Sequence, residues 1–145
     1  MIIAVNGTLM KGLSANHILI EAGARFVRDA HTAPFYRLWN VGDKHPAMLR
    51  DEQGGASISL ELWEIDPEKI IEVLEKEPPG LVVGRILLDN CHSVMGILAE
   101  PYILADNKEI THYRGWREYQ SARDSKDQSK QMDQDQDIHK INPGS

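Results

Sequence analysis

The chain has 145 residues, of which 41% are hydrophobic and 26% charged, a length and composition that suit one domain with a substantial core. Its net charge of -6 and its dispersed basic residues argue against nucleic-acid binding, and no apolar run approaches the ~20 residues of a membrane helix. The single cysteine, Cys91, excludes an internal disulfide framework, and with an N-terminus that lacks signal-peptide features it predicts a cytoplasmic protein.

The first predicted element is a buried strand over residues 1–5, which ends abruptly in Asn6-Gly7-Thr8-Leu9. A second glycine, Gly12, follows, and apolar spacing then predicts a helix over residues 14–22. A strand that leads through a glycine-bracketed turn into a helix exposes several backbone N–H groups in one place. Such groups bind anions or a developing oxyanion without a charged side chain. We therefore interpret residues 6–9 as a candidate ligand loop.

The next elements are a turn and strand within residues 31–40, a polar irregular stretch over 41–53, and a strand over 56–65 with alternating apolar residues. Tyr36 and Arg37 alternate along the first of these strands, so one of them can face a cavity. We interpret Tyr36 as a candidate substrate-binding residue. The alternative is a core tyrosine beside an exposed arginine.

A helix is predicted to begin at Asp66-Pro67-Glu68 and to end before Pro78. Glu77 stands at its end, where the helix dipole and partial burial both raise the pKa of a carboxyl group. A glutamate with a pKa near neutrality can take and return a proton. Glu77 is therefore the candidate general acid/base, and the alternative is a solvated surface glutamate.

The last predicted elements are hairpin strands over 81–88 and 93–99 and a helix over 115–123. From residue 121 onward the sequence is nearly all Asp, Gln, Lys and Ser, which buries too little to offset the entropy of ordering. The prediction is one domain over 1–120 and a tail over 121–145 that is mobile or orders on a partner. The element order favours an α+β fold with a small mixed sheet, curled into a β-barrel with flanking helices.

The six histidines are scattered without the spacing of metal ligands. We therefore expect no metal, and no other cofactor is predicted.

Six short segments occur in a characteristic order: residues 5–12, 32–38, 54–58, 77–84, 95–100 and 109–119. Together they resemble the gamma-glutamylcyclotransferase-like superfamily, and most closely the C-terminal domain of allophanate hydrolase and its stand-alone relatives. The resemblance implies a small mixed β-barrel with a cavity at its open end. It also implies a substrate loop with backbone N–H donors at Asn6, Gly7, Thr8 and Leu9.

The same resemblance implies a general acid/base after the central helix, for which Glu77 is the match and Glu75 the alternative. Two positions depart from the pattern. Asn6 replaces the tyrosine usual in cyclotransferases, and Leu9 stands where the allophanate hydrolase domain carries a histidine.

The resemblance implies an enzyme acting on a small amino-acid-derived amide, by closing a lactam with one acid/base group. The alternatives are a non-catalytic domain that binds a small carboxylate or assists an amidase, and a decarboxylase of urea or allophanate metabolism. The expected ligand is a small molecule with a carboxylate or amide. The expected protein partner is a second copy of this chain or an amidase.

Overall fold

The computed structural model describes the backbone of residues 1–141 and the side chains of residues 1–128. The strands are β1 (Ile2–Val5), β2 (Arg25–His31), β3 (Tyr36–Val41), β4 (His45–Arg50), β5 (Ser59–Glu64), β6 (Leu81–Leu87), β7 (Ser93–Ala99) and β8 (Lys108–Glu109). The α-helices are α1 (Asn16–Glu21), α2 (Ile70–Glu75) and α3 (Trp116–Ile141). Short 3-10 helices occupy Pro67–Lys69, Pro101–Leu104 and Thr111–Tyr113.

The strands form a five-stranded sheet in the order β2-β5-β1-β7-β6 and a three-stranded sheet in the order β4-β3-β8. The central strand β1 pairs antiparallel with β5 and parallel with β7, so the larger sheet is mixed. This arrangement confirms the predicted α+β class. Because β1 is hydrogen-bonded on both sides, it carries the following residues, 6–9, to the middle of one end of the sheet.

The larger sheet is curled, and its two edge strands meet at one end. There the Ala33 N–H donates to the Leu87 carbonyl at 2.9 Å, and the Asp89 N–H donates to the His31 carbonyl at 3.0 Å. Only this short bridge joins β2 and β6 within the described residues. The strands therefore form two sheets, and among the described residues the larger one is not closed into a full β-barrel by strand pairing.

Three strands depart from the prediction. In β2 only Ala30 is buried, so the strand lacks the alternating buried apolar residues by which a strand is predicted from sequence. The prediction of an irregular stretch over 41–53 is wrong, because β4 pairs with β3 and places Pro46 beside Asn40. A proline lacks the N–H needed in a central strand, but β4 is an edge strand and tolerates it. The two-residue strand β8 is too short for a periodic signal.

Helix α3 begins inside the predicted helix and continues past residue 120 to Ile141. Its first turns are tied to the domain. Arg117 lies 3.0 Å from Glu61, and Arg123 lies 3.0 Å from Asp43. The mobility expected for residues 121–145 stays a prediction, and its last four residues lie outside the described part of the chain. No helix within residues 1–141 is long and apolar enough to cross a membrane.

Candidate functional site

A small cleft with a cavity volume of about 20 Å³ lies at the end of β1. We call it the inner cleft, and its lining residues are Val5, Asn6, Gly7, Thr8, Leu9, His45, Pro46, Glu77, Leu81 and Ile97. A wider outer cleft of about 530 Å³ adjoins it and shares Thr8, His45 and Glu77 with it. The structure thus brings the predicted ligand loop and the predicted acid/base to one cavity.

The loop over residues 6–9 is a tight turn that uses its carbonyl groups and leaves its N–H groups free. The Gly7 carbonyl accepts from the Met10 N–H at 3.0 Å, and the Thr8 carbonyl accepts from the Ala15 N–H at 3.0 Å. The N–H groups of Gly7, Thr8 and Leu9 find no acceptor among the described residues. Three residues that line the inner cleft therefore carry backbone donors without a protein acceptor, the kind of group that binds anions.

The side chains of this loop hold it in place. Asn6 is buried, and its Nδ2 donates to the Ile97 carbonyl on β7 at 2.9 Å. The Leu9 side chain packs in the hydrophobic core, so only its backbone can serve a ligand. The Thr8 side chain is half-buried and borders both clefts.

Gly7 is required by the close approach of β4. A Cβ atom at this position would lie 2.5 Å from the Pro46 Cδ, far inside van der Waals contact. Pro46, which made the sequence of β4 look irregular, therefore packs directly against the ligand loop.

Glu77 has a carboxyl group without a partner. Its N–H donates to the Leu74 carbonyl at 3.1 Å just beyond α2, and Pro78 then turns the chain away. Its Oε1 is buried with no hydrogen-bond partner among the described residues. Removal from water raises the pKa of the Glu77 carboxyl from 4.5 to about 7. Glu75 is exposed to solvent, so the structure brings Glu77 rather than Glu75 to the cleft.

Tyr36 lies elsewhere. Its side chain is fully buried in the core, and its hydroxyl accepts from the Leu87 N–H at 2.8 Å. It does not line the inner or the outer cleft. The structure therefore places Tyr36 as a core residue that ties β3 to β6, and does not bring it to the predicted substrate site.

His45 is a cleft residue that the sequence reasoning missed. Only 6% of its surface is exposed, it lines both clefts, and its Nδ1 lies 3.0 Å from the Pro46 carbonyl. In the sequence it is one of six scattered histidines, and the stretch around it reads as irregular. Recognition of β4 as an edge strand beside the loop is the signal that would have found it.

The inner cleft combines backbone donors with one carboxyl group that titrates near neutral pH. Such a site can hold a carbonyl or carboxylate oxygen of a small ligand and exchange a proton with it. Where side chains are described, no three His, Cys, Asp or Glu residues are grouped as metal ligands would be.

Comparisons with known proteins identify relatives. The model of the allophanate hydrolase C-terminal domain matches residues 1–121. A uropathogenic E. coli-specific protein of known structure is 40% identical, with a TM-score of 0.82, over 83% of this chain and 94% of that one. Allophanate hydrolase from Kluyveromyces lactis shares the fold at 23% identity and a TM-score of 0.78, over 83% of this chain and 21% of that one.

A curated relative, the urea amidolyase of Lachancea kluyveri, is 27% identical over an alignment of 124 residues that covers 81% of this chain. The match spans only 7% of that enzyme's length. The sequence-based resemblance to the allophanate hydrolase C-terminal domain is confirmed.

Proposed function

The chain belongs to the allophanate hydrolase C-terminal domain family, and we propose that it is an enzyme. It acts on a small amide-bearing substrate by moving a proton from one atom of that substrate to another. The inner cleft is the proposed active site, and Glu77 is the general acid/base. The observation that carries the proposal is the buried, unpartnered Glu77 Oε1 in the same cleft as the free N–H donors of the loop.

In the favoured reaction, the substrate is an amide of a γ-carboxyl group that also carries an α-ammonium group. Glu77 removes a proton from the ammonium, and the resulting amine attacks the γ-carbonyl carbon. A carbon–nitrogen bond forms and closes a five-membered lactam, and the attacking nitrogen releases its second proton to solvent. The carbon–nitrogen bond to the leaving amine breaks, and Glu77 returns its proton to that amine.

Two features of the cleft support this reaction. A pKa of about 7 means that Glu77 is present in both protonation states near neutral pH, as a group that takes and returns a proton requires. The N–H groups of Gly7, Thr8 and Leu9 supply donors to the oxygen that gains charge during attack. Because nucleophile and carbonyl belong to one molecule, proximity supplies much of the rate and few catalytic groups are needed.

A second candidate is decarboxylation of a carboxylated urea derivative. The similarity to urea amidolyase favours it, although this chain spans a small part of that enzyme. In that reaction the bond between nitrogen and the carboxylate carbon breaks, carbon dioxide leaves, and Glu77 supplies the proton that the nitrogen takes up. The same loop donors would hold the ureide oxygen.

The two candidates are separated by incubating the full chain with two sets of compounds. Lactam release is followed with γ-glutamyl amides, and carbon dioxide release is followed with allophanate and N-carboxylated ureas. The expected result is lactam formation that Glu77→Gln abolishes and Glu75→Gln leaves unchanged. Carbon dioxide release alone would select the decarboxylase. Binding of 5-oxoproline, the lactam product, without turnover of either set would leave a carboxylate-binding domain.

A further inference from the structure

We infer that His45 gives the inner cleft a hydrogen-bond acceptor beside the loop donors, so that the site selects ligands whose carbonyl group bears an N–H. Amides, lactams and ureides belong to this class, whereas esters, lactones and simple carboxylates do not. This inference rests on the proposed function and names the chemical class of ligand that the cleft recognises.

The tautomer of His45 follows from its neighbour. A carbonyl oxygen can only accept a hydrogen bond, so the contact of Nδ1 with the Pro46 carbonyl at 3.0 Å places the hydrogen on Nδ1. In the neutral ring Nε2 is then an acceptor. No described residue donates to Nε2, and the ring is almost wholly removed from solvent. Nε2 is therefore free to accept from a ligand.

The surrounding structure fixes the ring next to the loop. His45 pairs with Val41 at the end of the β3–β4 hairpin. The hairpin turn is closed by Asn40, whose Nδ2 donates to the Asp43 Oδ1 at 2.7 Å. The next residue, Pro46, packs against Gly7. The imidazole and the loop N–H groups are thus held as neighbours by the hairpin.

The donor and acceptor pattern matches a planar amide group. The N–H groups of Gly7, Thr8 and Leu9 need an oxygen that accepts, and Nε2 of His45 needs a group that donates. An amide presents both on adjacent atoms. An ester or lactone of the same shape presents only the oxygens and leaves Nε2 without a partner, a loss expected to weaken binding by about tenfold.

The test compares two ligands of nearly equal shape, 5-oxoproline and the five-membered lactone that carries the same carboxylate. Calorimetric titration of the full wild-type chain should show the lactam bound about tenfold more tightly. His45→Leu should reduce this preference to about twofold or less. The control His92→Leu, at an exposed histidine of the β6–β7 hairpin, should leave the preference intact.

The outcomes separate this inference from the proposed function. Equal binding of lactam and lactone by the wild-type chain overturns the inference and leaves the proposed function standing. Failure of both compounds to bind overturns the inference, and the turnover assays above then decide the proposed function separately.

If His45→Leu does not fold, nitrogen-15 spectra of the wild-type imidazole decide the matter. The Nε2 resonance of His45 should shift when 5-oxoproline is added and stay in place with the lactone. An Nε2 resonance that does not shift when 5-oxoproline is added overturns the inference.

Discussion

Two half-buried glutamates, Glu77 and Glu109, have carboxyl pKa values that are shifted in opposite directions. Glu109 accepts hydrogen bonds from Nε and Nη2 of Arg37 and from the Thr111 hydroxyl, the last at 2.7 Å. These hydrogen bonds, those from Arg37 above all, hold the pKa of Glu109 below its ordinary value. Glu77 has a buried oxygen with no partner, and burial raises its pKa to about 7. Burial without a donor therefore raises the pKa of a carboxyl group, whereas hydrogen bonds from a cation lower it.

The deeply buried Glu61 strengthens this contrast. Only 3% of Glu61 is exposed, yet it accepts from the Lys11 N–H, the Trp63 indole and Arg117. Among the described side chains, Glu77 Oε1 is the buried polar atom that lacks a partner. The fold satisfies these structural carboxylates and leaves Glu77 Oε1 without a protein partner.

The most severe break of the comparison is Glu77→Gln. We expect kcat/KM on whichever test compound the wild-type chain turns over to fall by about 10²- to 10⁴-fold, since general acid/base catalysis contributes that much. The thermal midpoint should not fall, because the amide nearly matches the carboxyl in shape. Glu75→Gln, two residues earlier and exposed, is the matched control and should keep full activity. Retained turnover in Glu77→Gln would remove its acid/base role.

The contact between the loop and β4 can be broken at Gly7. Gly7→Ala forces a Cβ to within 2.5 Å of Pro46 and should lower the free energy of unfolding by about 1–3 kcal/mol, measured by denaturant titration. Gly54→Ala is the control, because its Cβ would meet Arg37 only at an ordinary 3.7 Å. Adding Pro46→Ala should restore part of the loss. Additive effects of the two substitutions would contradict direct contact.

The pH dependence of stability sharpens the comparison, because the two glutamates act in opposite directions. Glu77 keeps its proton in the folded state up to about pH 7, whereas the unfolded chain loses it near 4.5. The free energy of unfolding should therefore fall as pH rises through this interval. The contribution of Glu77 is on the order of 1–3 kcal/mol after allowance for its partial exposure. Stability curves of wild type and Glu77→Gln should diverge over this range, and parallel curves would contradict the raised pKa.

The smallest effect is expected at Arg37, which pairs with Glu109 and Asp51 through half-exposed contacts. Both carboxyl pKa values are lowered, so these pairs stabilise the fold at neutral pH and lose their effect as pH falls below the ordinary values. Arg37→Gln should lower the melting temperature at pH 7 by less than Gly7→Ala does, and by still less under acidic conditions. It should leave turnover unchanged. A loss of activity would show that this cluster reaches the cleft.

The sequence predicted the α+β class, the ligand loop and Glu77, because each has a local signal: an apolar strand before glycines, or a helix ended by prolines. It missed β4 and His45 because Pro46 suggested a loop, and only the edge position of β4 accommodates that proline. Tyr36 could not be placed, since either face of its strand could have met the cavity. The contact between the two edges of the larger sheet is one long-range bridge, Thr32 with Leu88, which has no periodic signal in the sequence.

The central claim is that the Glu77 carboxyl holds a proton near neutral pH because it is buried without a partner. The most direct test is a carbon-13 NMR titration of the glutamate side-chain carboxyls, with the Glu77 signal assigned by its loss in Glu77→Gln. The account predicts a midpoint of about 7 for Glu77, while Glu109 titrates below its ordinary range. A Glu77 midpoint at or below 4.5, its ordinary value, would contradict the account.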